Sequence, residues 1–191
     1  MTWDLSGLVP LSYDFIMADP PWKYENWSKK GELKNASAKY DCMVTADIMT
    51  LPLSNFAQKN CTLWLWATNP MLPQAFELLN AWGFKFVTAG HWVKYTYNKR
   101  TEERSLGFGT GYCLRSAGEP FLIGKIGKPK FAKTVRSVIE GLRRDHSRKP
   151  DEAYIAAEQL CPEALNRLDL FSRQERPGWT AWGNEIHKFT A

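Results

Sequence analysis

Tyr13-Asp14-Phe15-Ile16-Met17-Ala18 runs directly into Asp19-Pro20-Pro21-Trp22. A short apolar run halted by two prolines, neither of which can continue a hydrogen-bonded ladder, reads as a buried strand with a defined end. Downstream, the pattern predicts a helical piece over 45–58 interrupted at Pro52, a strand over 61–67, a helix over 71–82 closed by Gly83, and a strand over 84–94. A further apolar run spans Pro120-Phe121-Leu122-Ile123-Gly124. Pro150-Asp151-Glu152 opens the clearest helix, with proline and acids in the first turn and Ala153, Ala156, Ala157 and Leu160 on one face. Leu168-Asp169-Leu170-Phe171 reads as a strand leading into a polar bend over 173–178. Residues 23–43 and 95–111 show no sustained period and are expected to be long irregular loops. Helices alternating with short apolar strands imply an α/β fold, a mostly parallel sheet flanked by helices, in one domain over 1–191.

A 44% hydrophobic composition with nine Trp and ten Phe excludes a disordered chain. The longest unbroken apolar stretch, Leu63-Trp64-Leu65-Trp66-Ala67, is far short of the ~20 residues that span a bilayer, and Met1-Thr2-Trp3-Asp4 lacks the look of a secretory signal. Cys42, Cys61, Cys113 and Cys161 form no close pair of the kind zinc sites need, so reduced thiols, no metal and a cytoplasmic location are expected. The net charge is +5, and its location says more than its size. Between Lys125 and Lys149 nine basic residues face two acids, Glu140 and Asp145, while the rest of the chain is slightly acidic. Such a segment suits a polyanionic partner and equally suits a solvated loop.

In parallel sheets ligands collect outside the carboxyl ends of strands, which makes Asp19 a candidate site. The two prolines fix the turn and remove two backbone donors, so the turn presents carbonyl acceptors beside one carboxylate. That set matches a group donating two hydrogen bonds, such as the exocyclic amino group of a nucleobase, with Trp22 offering a face for the base to stack on. The plainer alternative is a strand-terminating turn with a packed Trp.

Met17-Ala18-Asp19-Pro20-Pro21-Trp22 resembles the catalytic motif of the methyltransferase-A family of S-adenosylmethionine-dependent adenine-N6 methyltransferases. Thr62-Leu63-Trp64-Leu65-Trp66, Trp92-Val93-Lys94, His146-Ser147-Arg148-Lys149-Pro150-Asp151-Glu152, Leu168-Asp169-Leu170-Phe171-Ser172-Arg173, and Pro177-Gly178-Trp179 through Gly183-Asn184-Glu185 follow in the family's order. The resemblance covers nearly the whole chain and turns the basic segment toward nucleic acid. It implies a Rossmann-like methyltransferase fold with a permuted motif order, in which the acceptor motif precedes most cofactor contacts. It implies Asp19, Pro20, Pro21 and Trp22 as the acceptor site, Asp19 and the Pro20 carbonyl holding the amino group. By the same resemblance, Arg173, Asn184 and Glu185 bind the ribose and methionine parts of S-adenosylmethionine. Asp4 and Leu5 then read its adenine, and Lys125 pairs with its carboxylate. Tyr24 and Tyr40 fall to the acceptor base, the second within a loop end, Tyr40-Asp41-Cys42-Met43, that closes over it. Arg100, Arg104, Arg115, His146 and Lys149 are basic positions that suit the nucleic-acid strand, with a solvated charged surface as the alternative reading.

Some positions depart from the better-known eukaryotic members. Ile126 stands where a lysine is expected, one place after Lys125, and Glu175 replaces a histidine found in some relatives. The sequence shows no cysteine-rich module and no separate target-recognition segment, as in compact bacterial and phage members. The reaction implied is direct methyl transfer to adenine N6 without a metal or a covalent enzyme intermediate. DNA is the leading acceptor and RNA the alternative; a cytosine amino group is a weaker one. A catalytically silent nucleic-acid-binding subunit is the reading from another class. The family's pairing habit also implies a partner subunit, and the small size with two long loops suits a homodimer.

Overall fold

The run that ends at Asp19 forms β1 (Tyr13–Ala18) in the computed structural model, which describes residues 3–23, 42–144 and 148–189. After it come α1 (Thr45–Met49), β2 (Ala57–Trp66), α2 (Leu72–Ala81) and β3 (Lys85–Asn98). The remainder is β4 (Glu103–Leu106), β5 (Gly118–Ile126), β6 (Val138–Leu142), α3 (Asp151–Leu160), β7 (Arg167–Leu170) and β8 (Trp179–Trp182). The strands make one eight-stranded sheet in the order β4-β3-β5-β2-β1-β7-β8, with β6 pairing β3.

Alternation along the central strands sorts side chains to two faces, as a sheet covered on both sides demands. Ile16, Ala18, Leu63, Leu65, Leu122, Leu168 and Leu170 pack with Ile48 of α1 and with Ala75, Leu78 and Leu79 of α2. Phe15, Met17, Trp64, Trp66, Phe121 and Ile123 pack with Ala153, Ala156 and Ala157 of α3, the face expected for that helix. Helix α2 ends where Gly83 takes φ +81°, a left-handed conformation that glycine adopts without a steric penalty. Proline interrupts the 45–58 region as expected: α1 stops before Pro52, and a 3-10 turn covers Leu53–Asn55.

The mostly parallel sheet expected from sequence is in fact mixed. Pairs β1–β2, β1–β7, β7–β8 and β3–β6 are parallel, while β2–β5, β3–β5 and β3–β4 are antiparallel. The cause lies in residues 95–111, expected as an irregular loop. Strand β3 runs on to Asn98 and returns through β4, and β5 then enters between β3 and β2. Connections without a crossover helix give antiparallel neighbours. Two further strands were hidden: β6 inside the basic segment and β8 after the polar bend. No helix among the described residues is long and apolar enough to cross a membrane.

Candidate active site

Strand β1 sits between β2 and β7, and the chain builds the sheet outward on both sides of it, so Asp19 leaves the sheet at a topological switch point. Its backbone N–H is held by the Leu170 carbonyl at 3.2 Å. The turn behind it is locked. The Trp22 N–H donates to the Pro20 carbonyl at 2.8 Å, and the Met43 N–H donates to the Pro21 carbonyl at 2.8 Å. Each proline carbonyl thus already accepts one bond, which leaves the second lone pair of Pro20 for a ligand. Trp22 does not offer the stacking face expected of it. It is 4% exposed, packs in the core, and donates its indole N–H to the Trp66 carbonyl at 3.2 Å. A large apolar ring next to the closing end of β2 gains more from burial than from water, and here it anchors the turn.

The Asp19 carboxylate meets a partner the sequence reading had placed on nucleic acid. Lys149, at the end of the basic segment, has a side chain only 7% exposed, with Nζ 2.8 Å from Asp19 Oδ2 and 3.0 Å from Glu119 Oε2. Lys94 donates to the other oxygen of Glu119. Four groups alternate in sign: Asp19, Lys149, Glu119, Lys94. Indole faces flank the two ammonium groups, Trp66 at 5.3 Å from Lys149 Nζ and Trp92 at 4.6 Å from Lys94 Nζ. Burial works against the Lys149 charge, yet Asp19 and Glu119 together hold its pKa above the ordinary lysine value. Burial would likewise raise Glu119, but the Lys149 and Lys94 ammonium groups bring it down to about 2. Burial lowers Lys94, with Glu119 opposing. The local chain explains how Lys149 gets inside. Pro150 caps α3 in an extended conformation, and a Cβ on Gly141 would come within 2.9 Å of the Pro150 ring, so the glycine lets β6 approach the entry to α3.

On the β7 side, Asp169 is buried between Leu168 and Leu170 and turned to the α3 face. Its Oδ2 accepts from the Tyr154 hydroxyl at 3.0 Å and the Ser172 hydroxyl at 2.8 Å. Burial raises its pKa to about 6 against those two bonds. Arg176 covers the Tyr154 ring at 3.8 Å and pairs with Asp151 at 2.7 Å, as does Arg144. These contacts fix the turn after β7, which carries Arg173. There Phe171 takes φ +63°, and Gly183 lies so near the Ser172 carbonyl that a Cβ would sit 2.7 Å from it.

That close approach brings Arg173 to Glu185, Nε to Oε2 at 3.4 Å, with Asn184 exposed beside them. Glu185 also pairs with Lys188 at 2.6 Å. Asp4 joins the same end of the sheet, its carbonyl accepting the Trp182 indole N–H at 3.0 Å, and Leu5 packs nearby against the core. A cation, a carboxylate and an amide on adjoining turns fit the carboxylate, ammonium and hydroxyl groups of S-adenosylmethionine. Lys125 is not brought there. It pairs with Thr62, whereas Ala18 pairs with Leu65, so Lys125 lies three residues back along the sheet, roughly 10 Å from the Asp19 end. Antiparallel β5 carries its last residues away from the site.

Arg100, Arg104 and Arg115 are exposed on the β3–β4 arm and the loop after it; Arg104 pairs with Glu140 at 2.9 Å and covers the Tyr95 ring. Tyr24, Tyr40 and His146 lie outside the described residues. Sequence reasoning missed Glu119 and Asp169 as site elements. Their signal was a carboxylate embedded in each of two apolar runs, Gly118-Glu119-Pro120-Phe121 and Leu168-Asp169-Leu170. No group of three or more His, Cys, Asp or Glu among the described residues is arranged to hold a metal.

The MT-A70 family model matches residues 13–185. The type II methyltransferase M.MunI of Mycoplasma sp is 29% identical over 190 residues, covering 91% of this chain and 78% of that protein. The N(6)-adenine-specific methyltransferase METTL4 of Homo sapiens is 30% identical over 97% of the chain, and an N(6)-adenosine-methyltransferase MT-A70-like protein of Arabidopsis thaliana 30% over 92%. The chain spans only 41% and 24% of those two longer relatives. With a match reaching from β1 to the Asn184-Glu185 turn, the chain belongs to the MT-A70 family.

Proposed function

We propose that this chain methylates the exocyclic N6 amino group of adenine in DNA, with Asp19 as the catalytic residue. The observation that carries the reading is the Asp19 carboxylate, set at the switch point of the sheet, oriented by buried Lys149 and followed by the locked Pro20-Pro21 turn. S-adenosylmethionine, when bound, supplies an electrophilic methyl whose sulfur leaves as a neutral thioether. Arg173, Asn184 and Glu185 would hold it, with Asp4 and Leu5 toward its adenine.

Asp19 and the Pro20 carbonyl each accept one N–H of the adenine amino group, which orients the nitrogen. Alignment of this kind supplies a large part of the barrier reduction in group transfer. The amino group becomes strongly acidic only as its new bond forms, so Asp19 needs no unusual basicity to receive or relay the proton. Lys149 occupies one carboxylate oxygen throughout and keeps the other in a fixed direction. The kinship with the type II enzyme M.MunI supports DNA over RNA.

The test is incubation with S-adenosylmethionine and, separately, single-stranded DNA, duplex DNA and RNA, followed by digestion and mass spectrometry of nucleosides. N6-methyldeoxyadenosine that disappears in Asp19→Ala is expected. Methyladenosine from RNA alone would move the acceptor, and bound cofactor without product on any acceptor would favour the silent subunit. Faster reaction on unpaired than on paired adenine is also expected, because extruding a stacked base costs a few kcal/mol.

A further inference from the structure

The loop joining β4 to β5, residues 107–117, presents side chains that the methyl-transfer site does not use. Phe108, Tyr112 and Leu114 are 75%, 87% and 82% exposed. Grouped apolar exposure of this kind marks surfaces that meet something. The loop is tightly built. A Cβ on Gly111 would fall 1.9 Å from the Leu114 carbonyl oxygen, and one on Gly109 2.8 Å from that of Ser116. The Gly109 N–H donates to Ser116 at 2.8 Å and the Ser116 N–H to Thr110 at 3.2 Å. Glycine thus lets the strand fold back on itself while the larger side chains remain in solvent.

Its base is pinned to the active site. The Gly107 N–H donates to the Lys94 carbonyl at 2.7 Å, and the Lys94 N–H to the Ala117 carbonyl at 2.8 Å. Lys94 is the last member of the charge ladder that starts at Asp19. Charge points to the occupant. Residues 107–117 contain Arg115 and no acidic residue, and the Arg115 guanidinium already lies 4.8 Å over the Phe108 ring. Exposed rings interleaved with cations are the chemistry of single-strand recognition, since an unpaired strand offers base faces and phosphates together.

We propose that the 107–117 loop is a stacking platform for the unpaired nucleotides flanking the target adenine, Phe108 and Tyr112 taking base faces and Arg115 a phosphate. This rests on the chain's reading as a nucleic-acid methyltransferase and locates where the strand lies. A protein partner would be served by the apolar residues, but a loop that carries Arg115 and no carboxylate of its own favours a polyanion.

The test is fluorescence anisotropy with a fluorescein-labelled, mixed-sequence single-stranded oligodeoxynucleotide, comparing the wild type with Phe108→Ala, Tyr112→Ala, Tyr112→Phe and Arg115→Ala. Each lost ring should weaken binding about tenfold without changing the salt dependence, and Tyr112→Phe should restore it. Arg115→Ala should flatten the salt slope by about 0.7, one single-strand phosphate contact. Calorimetry with S-adenosylmethionine shows that each variant is folded. Alanine variants that bind the oligonucleotide like the wild type would overturn the platform, and so would a wild-type dimer in sedimentation that Tyr112→Ala splits while oligonucleotide affinity holds. Assaying N6-methyldeoxyadenosine on the same oligonucleotide separates the two readings. Product with ring-independent binding sinks the platform alone, whereas ring-dependent binding without product sinks the enzymatic reading and keeps the platform.

Discussion

Glu119 and Asp169 are buried carboxylates on opposite flanks of β1, and the fold treats them in opposite ways. Glu119 lies between two ammonium groups, and its pKa falls to about 2. Asp169 is given two hydroxyl donors on one oxygen, Tyr154 and Ser172, with no ion pair among the described residues, and its pKa rises to about 6. Hydroxyl bonds favour the carboxylate but do not offset the desolvation of a full charge, whereas adjacent cations do. One flank of Asp19 is therefore locked in a single charge state across physiological pH, and the other is within reach of a proton.

Removing the centre of the ladder should have the largest effect. Lys149→Met leaves Asp19 and Glu119 facing each other without their shared cation, and should cost on the order of 3–5 kcal/mol in urea denaturation, with loss of methyl transfer. A cost below about 1 kcal/mol would mean that the ladder is not closed in solution.

The two carboxylates should next separate in pH titrations of stability. Glu119 is depressed from 4.5 to about 2, so its contribution is present above pH 4.5 and is lost as pH falls toward 2. Asp169 is raised from 3.8 to about 6, so the folded state binds the extra proton between those values and its contribution declines as pH rises through them. Each swing is worth roughly 3 kcal/mol. Glu119→Gln should remove the acid-side loss and Asp169→Asn the decline toward pH 6. A wild-type Asp169 titrating near 4 by NMR would contradict the contrast.

Tyr154→Phe sharpens the comparison further. It deletes one of two donors to Asp169 and should cost about 1–2 kcal/mol, smaller than any break in the ladder, while pushing the Asp169 pKa higher. The exposed Arg104–Glu140 pair is the control, both side chains being about half exposed. Arg104→Ala should change stability by less than about 1 kcal/mol, because solvent screens the pair.

Much of the central architecture was readable from residue order. The strand ending at Asp19, the break at Pro52, the Gly83 stop and the alanine face of α3 all follow from local rules that burial later reinforces. The β3–β4 arm was not, because Lys99, Arg100 and Arg104 with nearby glycine mask a hairpin whose strands are half solvated. Strand β6 was hidden in the same way inside the basic segment. The site was legible in its type and not in its wiring. Asp19, Arg173 and Glu185 are marked by motif, but Lys149 read as surface charge because sequence does not show that two carboxylates, Asp19 and Glu119, both far before it in the chain, would converge on it. Lys125 erred through strand direction: only the pairing of β5 shows which end of the sheet its last residues reach.

The most direct test of the account is single-turnover methylation of a single-stranded DNA oligonucleotide by Asp19→Asn, alongside calorimetric binding of S-adenosylmethionine to the same variant. The substitution keeps the shape of the side chain and removes the charge that Lys149 and the acceptor amino group engage. The expected result is a fall in rate on the order of 10²–10³ or more with cofactor affinity retained, as for loss of a preorganised contact to the reacting group. Methyl transfer at near the wild-type rate would contradict the assignment of Asp19 as the catalytic residue.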